Sequence, residues 1–351
     1  MRNIGKYTLV GPSADDDWTP EQIILDTNVL IDIRNFYFGE GRVPAELKDL
    51  LLEFPYTARR RFVEINYGWA TIEASWVRGT GVDLVQRRRL VYAAEQVLWW
   101  DRKQIIKQFE EYRRPPVARD RKWGRVPLEN EADQPDPRIM LISHYGSLLY
   151  LLSLEKQRAR RKSKGPLWAI QQYITWVTDV FGVRDSYTLN LATMLLAGDG
   201  ESQNAVRRIL KFKDTATPEE MSRIAWNVAW DIAMTSLGEG ITYGLLSGAR
   251  KKKTVLVTYD ADPTLLRLGT ELKAVIDTGN GVMPFSRMRS SLKVSHTDLQ
   301  KIIDLDPLDA WRRLSRDPAT LMKQAARAVQ DLESELGVPV SFYEEEELSL
   351  S

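Results

Sequence analysis

The hydrophobic pattern of the first hundred residues is dominated by one short run. Ile23, Ile24 and Leu25 follow Pro20, stop at Asp26, Thr27 and Asn28, and give way to Val29, Leu30 and Ile31. An unbroken apolar run of this length, closed by polar residues, predicts a fully buried parallel strand leading into a helix or turn. Thr254 to Thr258 (Thr-Val-Leu-Val-Thr) has the same form, preceded by Lys251 to Lys253 and followed by Tyr259, Asp260, Ala261 and Asp262. Leu272 to Asp277 reads as a third strand. Phe62 to Tyr67 reads as a fourth, although its flanks suit a helix equally well. Strands alternating with helical patterns predict an α/β fold with a parallel sheet flanked by helices. Ligands of such sheets bind at the carboxyl ends of the strands, where Asp26 and Asp260 stand.

Between about Trp76 and Ala216 the periodicity becomes helical over Val82 to Arg113, Arg138 to Lys162, Pro166 to Phe181 and Ser186 to Leu196. This stretch reads as an all-α insertion. It holds 25 Lys and Arg against 16 Asp and Glu, concentrated at Arg87 to Arg89, Arg113 to Arg125 and Arg158 to Lys164. That excess suits phosphate binding, and solvated helix faces equally. Pro307 to Leu314 and Pro318 to Leu336 predict further helices, and Glu344 to Glu347 a solvated, disordered acidic tail.

Composition narrows the chemistry. With 351 residues, 43% of them hydrophobic, the chain can fill one large core or two ordinary ones, and 49 basic against 48 acidic residues impose no overall charge preference. There is no cysteine, so disulfides and thiolate chemistry are excluded. His144 and His296 are too isolated for a usual zinc site or a serine-histidine triad. Hydrolytic chemistry would have to rest on carboxylates. The N-terminus lacks the features of a signal peptide, and no apolar stretch has the length of a membrane span, so a cytoplasmic protein with no membrane partner is expected.

Ile23 to Ile31, Ile-Ile-Leu-Asp-Thr-Asn-Val-Leu-Ile, resembles the opening motif of the PIN family of metal-dependent ribonucleases. Read without the family, the same residues could be a helix start capped by Asp26 or Thr27. Further matches follow in the family's order. Glu73, within Ala70 to Ser75, resembles the second acid, with Glu64 in reserve. The two would lie on nearly opposite faces of one helix if residues 60 to 76 were continuous. Asp231, within Trp230 to Thr235, resembles the third acid. Asp260 and Asp262 after Thr258 resemble the strand-end pattern that closes the site.

The resemblance implies catalytic Asp26, Glu73, Asp231 and Asp260, metal ligands Asp26, Asp231, Asp260 and Asp262, and orienting roles for Asn28 and Thr258, the latter toward a metal-bound water or ligand. Clustered carboxylates repel one another unless cations lie between them, and all-oxygen ligands favour Mg2+ or Mn2+. The implied activity is endonucleolytic phosphodiester hydrolysis, of RNA rather than DNA, leaving 5′-phosphate and 3′-hydroxyl ends. A toxin of a toxin-antitoxin pair, a phage-defence effector or an RNA-processing enzyme would fit, with an inhibitory or regulatory protein partner.

The implied organisation is a PIN-like domain split between residues 20–76 and 217–285, a helical insertion at 77–216 and a C-terminal helical region at 286–351. The matching pieces make up about a third of the chain. In compact family members no such insertion separates the second and third acids.

Two other readings compete. Asp260-Ala261-Asp262-Pro263-Thr264 has the Asp-x-Asp-x-Thr form of haloacid-dehalogenase-like phosphatases, but only 87 residues follow it, and they read mainly as helix. A nucleic-acid-binding or scaffold protein with a degraded site is the other. Among basic segments, Arg121, Lys122, Trp123 and Arg125 are the candidate nucleic-acid contacts, Trp123 offering a surface for base stacking, as would Trp99 and Trp100. Aromatics at helical spacing serve as core as readily. His144, in apolar Leu141 to Leu152, reads as a packed or hydrogen-bonded core residue, and Lys251 to Lys253 as a solubilising run before a buried strand.

Overall fold

The computed structural model describes residues 2–11, 20–53, 63–77, 81–111, 121–125, 137–160, 166–243, 250–259, 272–277, 282–286, 295–303 and 316–339. They form two compact units, Met1–Gln134 with Met234–Pro263, and Pro135–Ala233 with Thr264–Ser351. The chain is mixed α/β, with a five-stranded mixed sheet flanked by helices. No helix among the described residues is long and apolar enough to cross a membrane.

The first unit begins with β1 (Arg2–Ile4) and β2 (Tyr7–Val10), an antiparallel hairpin that the apolar-run reading did not anticipate. Its two-residue loop has Gly5 first, at φ 56, where a hairpin turn that follows the strand twist needs a residue without a Cβ. After β3 (Gln22–Leu25) come α1 (Thr27–Phe38), α2 (Glu46–Glu53), β4 (Glu64–Asn66) and α3 (Gly68–Ser75). Residues 60 to 76 are therefore not one continuous helix. A small pair, β5 (Trp76–Val77) and β6 (Gly81–Val82), leads into α4 (Leu84–Trp99) and α5 (Arg102–Glu111), and the chain later returns as β7 (Thr254–Thr258).

The strand order is β1-β2-β7-β3-β4. β3 lies parallel to both β4 and β7, but β2 runs antiparallel to β7. The expectation of a parallel sheet is corrected to a mixed one, because the N-terminal hairpin extends its edge. Strand period 2 divides the core: Ile23, Leu25, Val255, Val257, Tyr7 and Leu9 join one cluster with Val29, Leu30 and Ile33 of α1 and Leu90, Ala93 and Val97 of α4. Ile24 points the other way, its Cδ1 3.8 Å from where a Cβ on Gly238 would lie. With both faces covered, every residue of β3 and β7 is buried, which explains their unbroken apolar runs.

The second unit is built from α6 (Pro137–Arg160), α7 (Pro166–Thr175) continuing into a π-helical turn (Trp176–Val180), α8 (Ser186–Ala197), α9 (Gly200–Ile209), the first part of α10 (Pro218–Tyr243), α11 (His296–Ile303) and α12 (Pro318–Leu336). β8 (Leu272–Asp277) pairs antiparallel with β9 (Val282–Ser286) in a separate hairpin, so the expected third strand does not join the main sheet. The connection between them is too short for the crossover that parallel pairing needs.

α6 approaches α12 at Gly146, where a Cβ would stand 2.7 Å from Val329 Cγ2 and 2.8 Å from Phe181 Cε2. The segment read as an insertion at 77–216 thus contributes to both units, α4 packing on α1 in the first. Pro307 to Leu314 and the acidic tail lie outside the described residues.

Candidate active site

Asp26 stands where β3 ends and α1 begins, 6% exposed. It is the N-cap of α1, and comparison with the other capping aspartates shows how its carboxylate is used. Asp83, Asp185, Asp199 and Asp317 each accept from N–H groups two or three residues into their helices, the ordinary capping bond. Asp26 Oδ1 instead accepts from the adjacent Thr27 N–H at 2.7 Å, and Oδ2 from the Thr258 hydroxyl at 2.9 Å. The carboxylate faces the end of β7 rather than lying over the first turn of its own helix.

The backbone sets this geometry. β3 and β7 run in register, Leu25 opposite Val257, and the Asp26 N–H donates to Val257 C=O at 2.9 Å. Asp26 and Thr258 are thereby brought side by side at the carboxyl ends of two parallel strands. Thr258, read from the sequence as orienting a metal-bound water or ligand, donates to the aspartate itself. Both carboxylate oxygens of Asp26 are thus engaged, one by its own helix and one by the neighbouring strand.

Thr27 carries the connection onward, its hydroxyl donating in a short hydrogen bond to Glu73 Oε2 on α3. Glu73 is half-buried. Glu64 is at the other end of the sheet: it pairs in register with Gln22, accepts from Gln22 Nε2 at 2.9 Å, and forms an ion pair with Lys252. Four residues of strand, about 13 Å, separate Gln22 from Asp26. Between the two candidates, Glu73 is the one joined to Asp26. Thr27 was legible only as part of the Asp-Thr-Asn turn, and nothing in the sequence marked it as the bridge.

Asp260 and Asp262 lie outside the described residues, the first of them two positions beyond Thr258. Tyr259, between Thr258 and Asp260, is held by the N-terminal hairpin. Lys6 Nζ lies 3.7 Å from the centre of its ring, and Tyr7 meets it edge-on at 6.1 Å. Lys6 and Tyr7 in turn engage Asp32 of α1 at 3.4 and 2.7 Å. Burial, then the bond to and charge of Asp32, push the Tyr7 phenol far above its ordinary pKa. No motif marked these residues, because their arrangement depends on pairing β2 with β7.

Asp231 belongs to the second unit, where it is half-buried and lines a cavity with Lys211, Lys213, Arg223 and Asn227. Asn28 is exposed in the first turn of α1. No group of three or more His, Cys, Asp or Glu that could hold a metal ion occurs among the described residues.

The basic candidates are placed differently from a free phosphate face. Arg87 is buried, and Arg89 pairs with Glu40 while its guanidinium lies 4.6 Å from the Phe38 ring and 5.8 Å from Trp123. Trp123, in a 3-10 turn at Arg121–Arg125, packs against the first unit's core. Arg125 is exposed, and the side chains of Arg121 and Lys122 lie outside the described set. Trp100 contacts the rings of Phe36 and Tyr37, whereas Trp99 is 72% exposed.

His144 is buried in the second unit, Nδ1 3.1 Å from Asp185 Oδ2. Burial works to raise the Asp185 pKa, but the charge and hydrogen bond of His144, with bonds from Thr188, outweigh it and hold the carboxyl below its usual range. No protein-family model, no curated protein and no solved structure matches the chain.

Proposed function

We propose that the chain is a divalent-metal-dependent endonuclease of the PIN type, acting on RNA, with Asp26 as its central acid. The observation that carries this reading is the use made of Asp26. A helix-capping aspartate at the carboxyl end of two parallel strands turns its carboxylate to Thr258 and is joined through Thr27 to a second acid, Glu73. A carboxylate 6% exposed needs cationic or hydrogen-bonded compensation to remain ionised, and oxygen ligands suit Mg2+ or Mn2+.

Asp26, Asp260 and Asp262 would hold the metal, whose contribution is to neutralise charge at phosphorus and lower the pKa of an attacking water. Thr258 fixes the Asp26 carboxylate, and Thr27 fixes Glu73, which would orient that water. The hairpin residues Lys6 and Tyr7 hold Tyr259 and so steady the start of the segment that carries Asp260.

The test is cleavage of end-labelled single-stranded RNA and DNA by the purified protein with Mn2+, Mg2+ or EDTA, beside Asp26→Asn, Asp260→Asn and Asp231→Asn. The expected result is RNA cleavage that needs the metal, leaves 5′-phosphates and is lost in the first two variants. The third reports whether the remaining acid of the resemblance takes part. Cleavage indifferent to EDTA and to both Asp26→Asn and Asp260→Asn would overturn the reading, as would RNA binding with no cleavage under any metal.

A further inference from the structure

We infer that the turn between α9 and α10 is a binding site for a phosphate group. The site lies wholly within the second unit and needs none of the proposed metal chemistry. A cavity of about 290 Å³ opens there, lined by Lys211, Lys213, Glu220, Arg223, Asn227 and Asp231 over an apolar floor that includes Leu210 and Val228. That volume is near the lower limit for small-molecule pockets and is ample for a phosphate group.

The backbone supplies an independent observation. α9 ends in a Schellman motif: Phe212 N–H donates to Arg207 C=O and Lys211 N–H to Arg208 C=O, both at 3.1 Å. In this motif the residue after the cap is left-handed, and glycine normally occupies it. Here it is Lys211, at φ 49, the one non-glycine residue with positive φ among those described. A lysine in the left-handed region costs on the order of 1 kcal/mol that glycine would not. Local stability does not favour it; a side chain required in the cavity does.

The surrounding interactions divide the charges. Arg207 is held by Glu155 and Asp214, and Lys156 donates to Ala216 C=O at 2.7 Å, pinning the turn from behind. Glu220 accepts from Thr217 N–H at 2.8 Å while Thr217 Oγ1 accepts from Glu220 N–H, a capping box that turns this acid toward the start of α10. Among the described residues Lys211, Lys213 and Arg223 are in no ion pair. Two cations on the pinned turn, Lys211 and Lys213, and one on α10, Arg223, outnumber the Asp231 carboxylate in the lining and, with the Asn227 amide as a further donor, match the charge and acceptor oxygens of a phosphate.

The test measures binding in EDTA, so that cleavage plays no part. The probes are inorganic phosphate and AMP by calorimetry, and a fluorescein-labelled single-stranded RNA dodecamer by anisotropy. The variants are Lys211→Gly, Arg223→Gln and the double. The expected result is binding of at least one probe, weakened at least tenfold in the double variant. For the RNA, the slope of log affinity against log salt should become shallower by about 1.4 when two cations are removed.

Lys211→Gly should bind more weakly yet melt no lower than the parent, a combination that a purely structural lysine would not give. RNA bound at least tenfold more tightly than AMP identifies a nucleic-acid strand as the source of the phosphate. Equal affinities identify a small phosphorylated ligand. The inference is overturned if no probe binds at about 1 mM, or if the double variant binds as the parent does. Binding of inorganic phosphate in EDTA involves neither the metal nor cleavage, so failure here and failure of the nuclease reading are separate results.

Discussion

Removing the Thr258 hydroxyl tests the geometry most directly. Thr258→Val exchanges an oxygen for a methyl group of similar volume, so packing at this 5%-exposed position is kept and the 2.9 Å bond to Asp26 is lost. A hydrogen bond to an ionised acceptor contributes about 1.5–3 kcal/mol, and the newly buried methyl returns up to about 0.8 kcal/mol. The net loss should be about 1–2 kcal/mol. In a unit of roughly 160 residues that lowers its melting temperature by about 2–8 °C. Hydrogen exchange at the amides of Ile23 to Leu25 and Val255 to Val257 reports this unit by itself. Thr258→Ser is the control, because it keeps the donor and gives up only a methyl group. If Asp26 is a metal-site acid, the valine variant should also lose about 10–100-fold in activity, the usual effect of removing a ligand's supporting bond, while serine retains most of it. Equal stability and activity in the valine and serine variants would refute the argument.

Glu73→Gln should reduce cleavage at least as severely as the loss of a supporting bond, about 100-fold, whereas Glu64→Gln at the opposite end of the sheet should leave the rate within about twofold in the same labelled-RNA assay. Asp26→Ser keeps a good capping residue but gives up the bond from the Thr258 hydroxyl, so in urea titrations the first unit should lose no more than about 1–2 kcal/mol while cleavage disappears. Asp185 has a lowered pKa in the fold, so its contribution to stability is complete above the unfolded value near 3.8 and is lost as pH falls through the folded one. Denaturation of the second unit between pH 5 and pH 2 should therefore be less pH-dependent in Asp185→Asn than in the parent. Tyr7 has a raised pKa, so the stability it gives is intact below about pH 10 and falls as the unfolded chain alone releases the proton. Melting curves of Tyr7→Phe should lack that alkaline loss in the first unit.

The sequence made the central strands legible because both faces of the sheet are covered. Ile23 to Leu25 and Val255 to Val257 had to be apolar throughout, and a continuous apolar run closed by polar residues is hard to mistake. Pro318–Leu336 was legible for a different reason, a helical period bounded by a capping aspartate before it and a glycine after it. The N-terminal hairpin was not legible as part of the sheet, since its pairing with β7 joins residues some 250 apart in sequence. The choice between Glu64 and Glu73 was hidden for the same reason. It depends on which end of β3 each acid lies near, and that is a property of strand register. The cationic cavity was overlooked because its residues belong to no run of charge: Lys211, Lys213 and Arg223 converge only when α9 turns into α10.

Where local rules and structure disagree, the disagreement carries information, since a residue that fits its backbone poorly must be retained for another reason. Asp26 and Lys211 are such residues. Each occupies a helix-terminal position with a well-understood preference, an N-cap bond into the first turn for one and glycine in the left-handed region for the other. At Asp26 the residue type obeys the preference and the side chain departs from it, so composition alone would have passed the position as an ordinary cap. At Lys211 the backbone obeys and the residue type departs. Charge counting found neither, because the basic run at Arg87 to Arg89 is taken up by burial, Glu40 and aromatic rings.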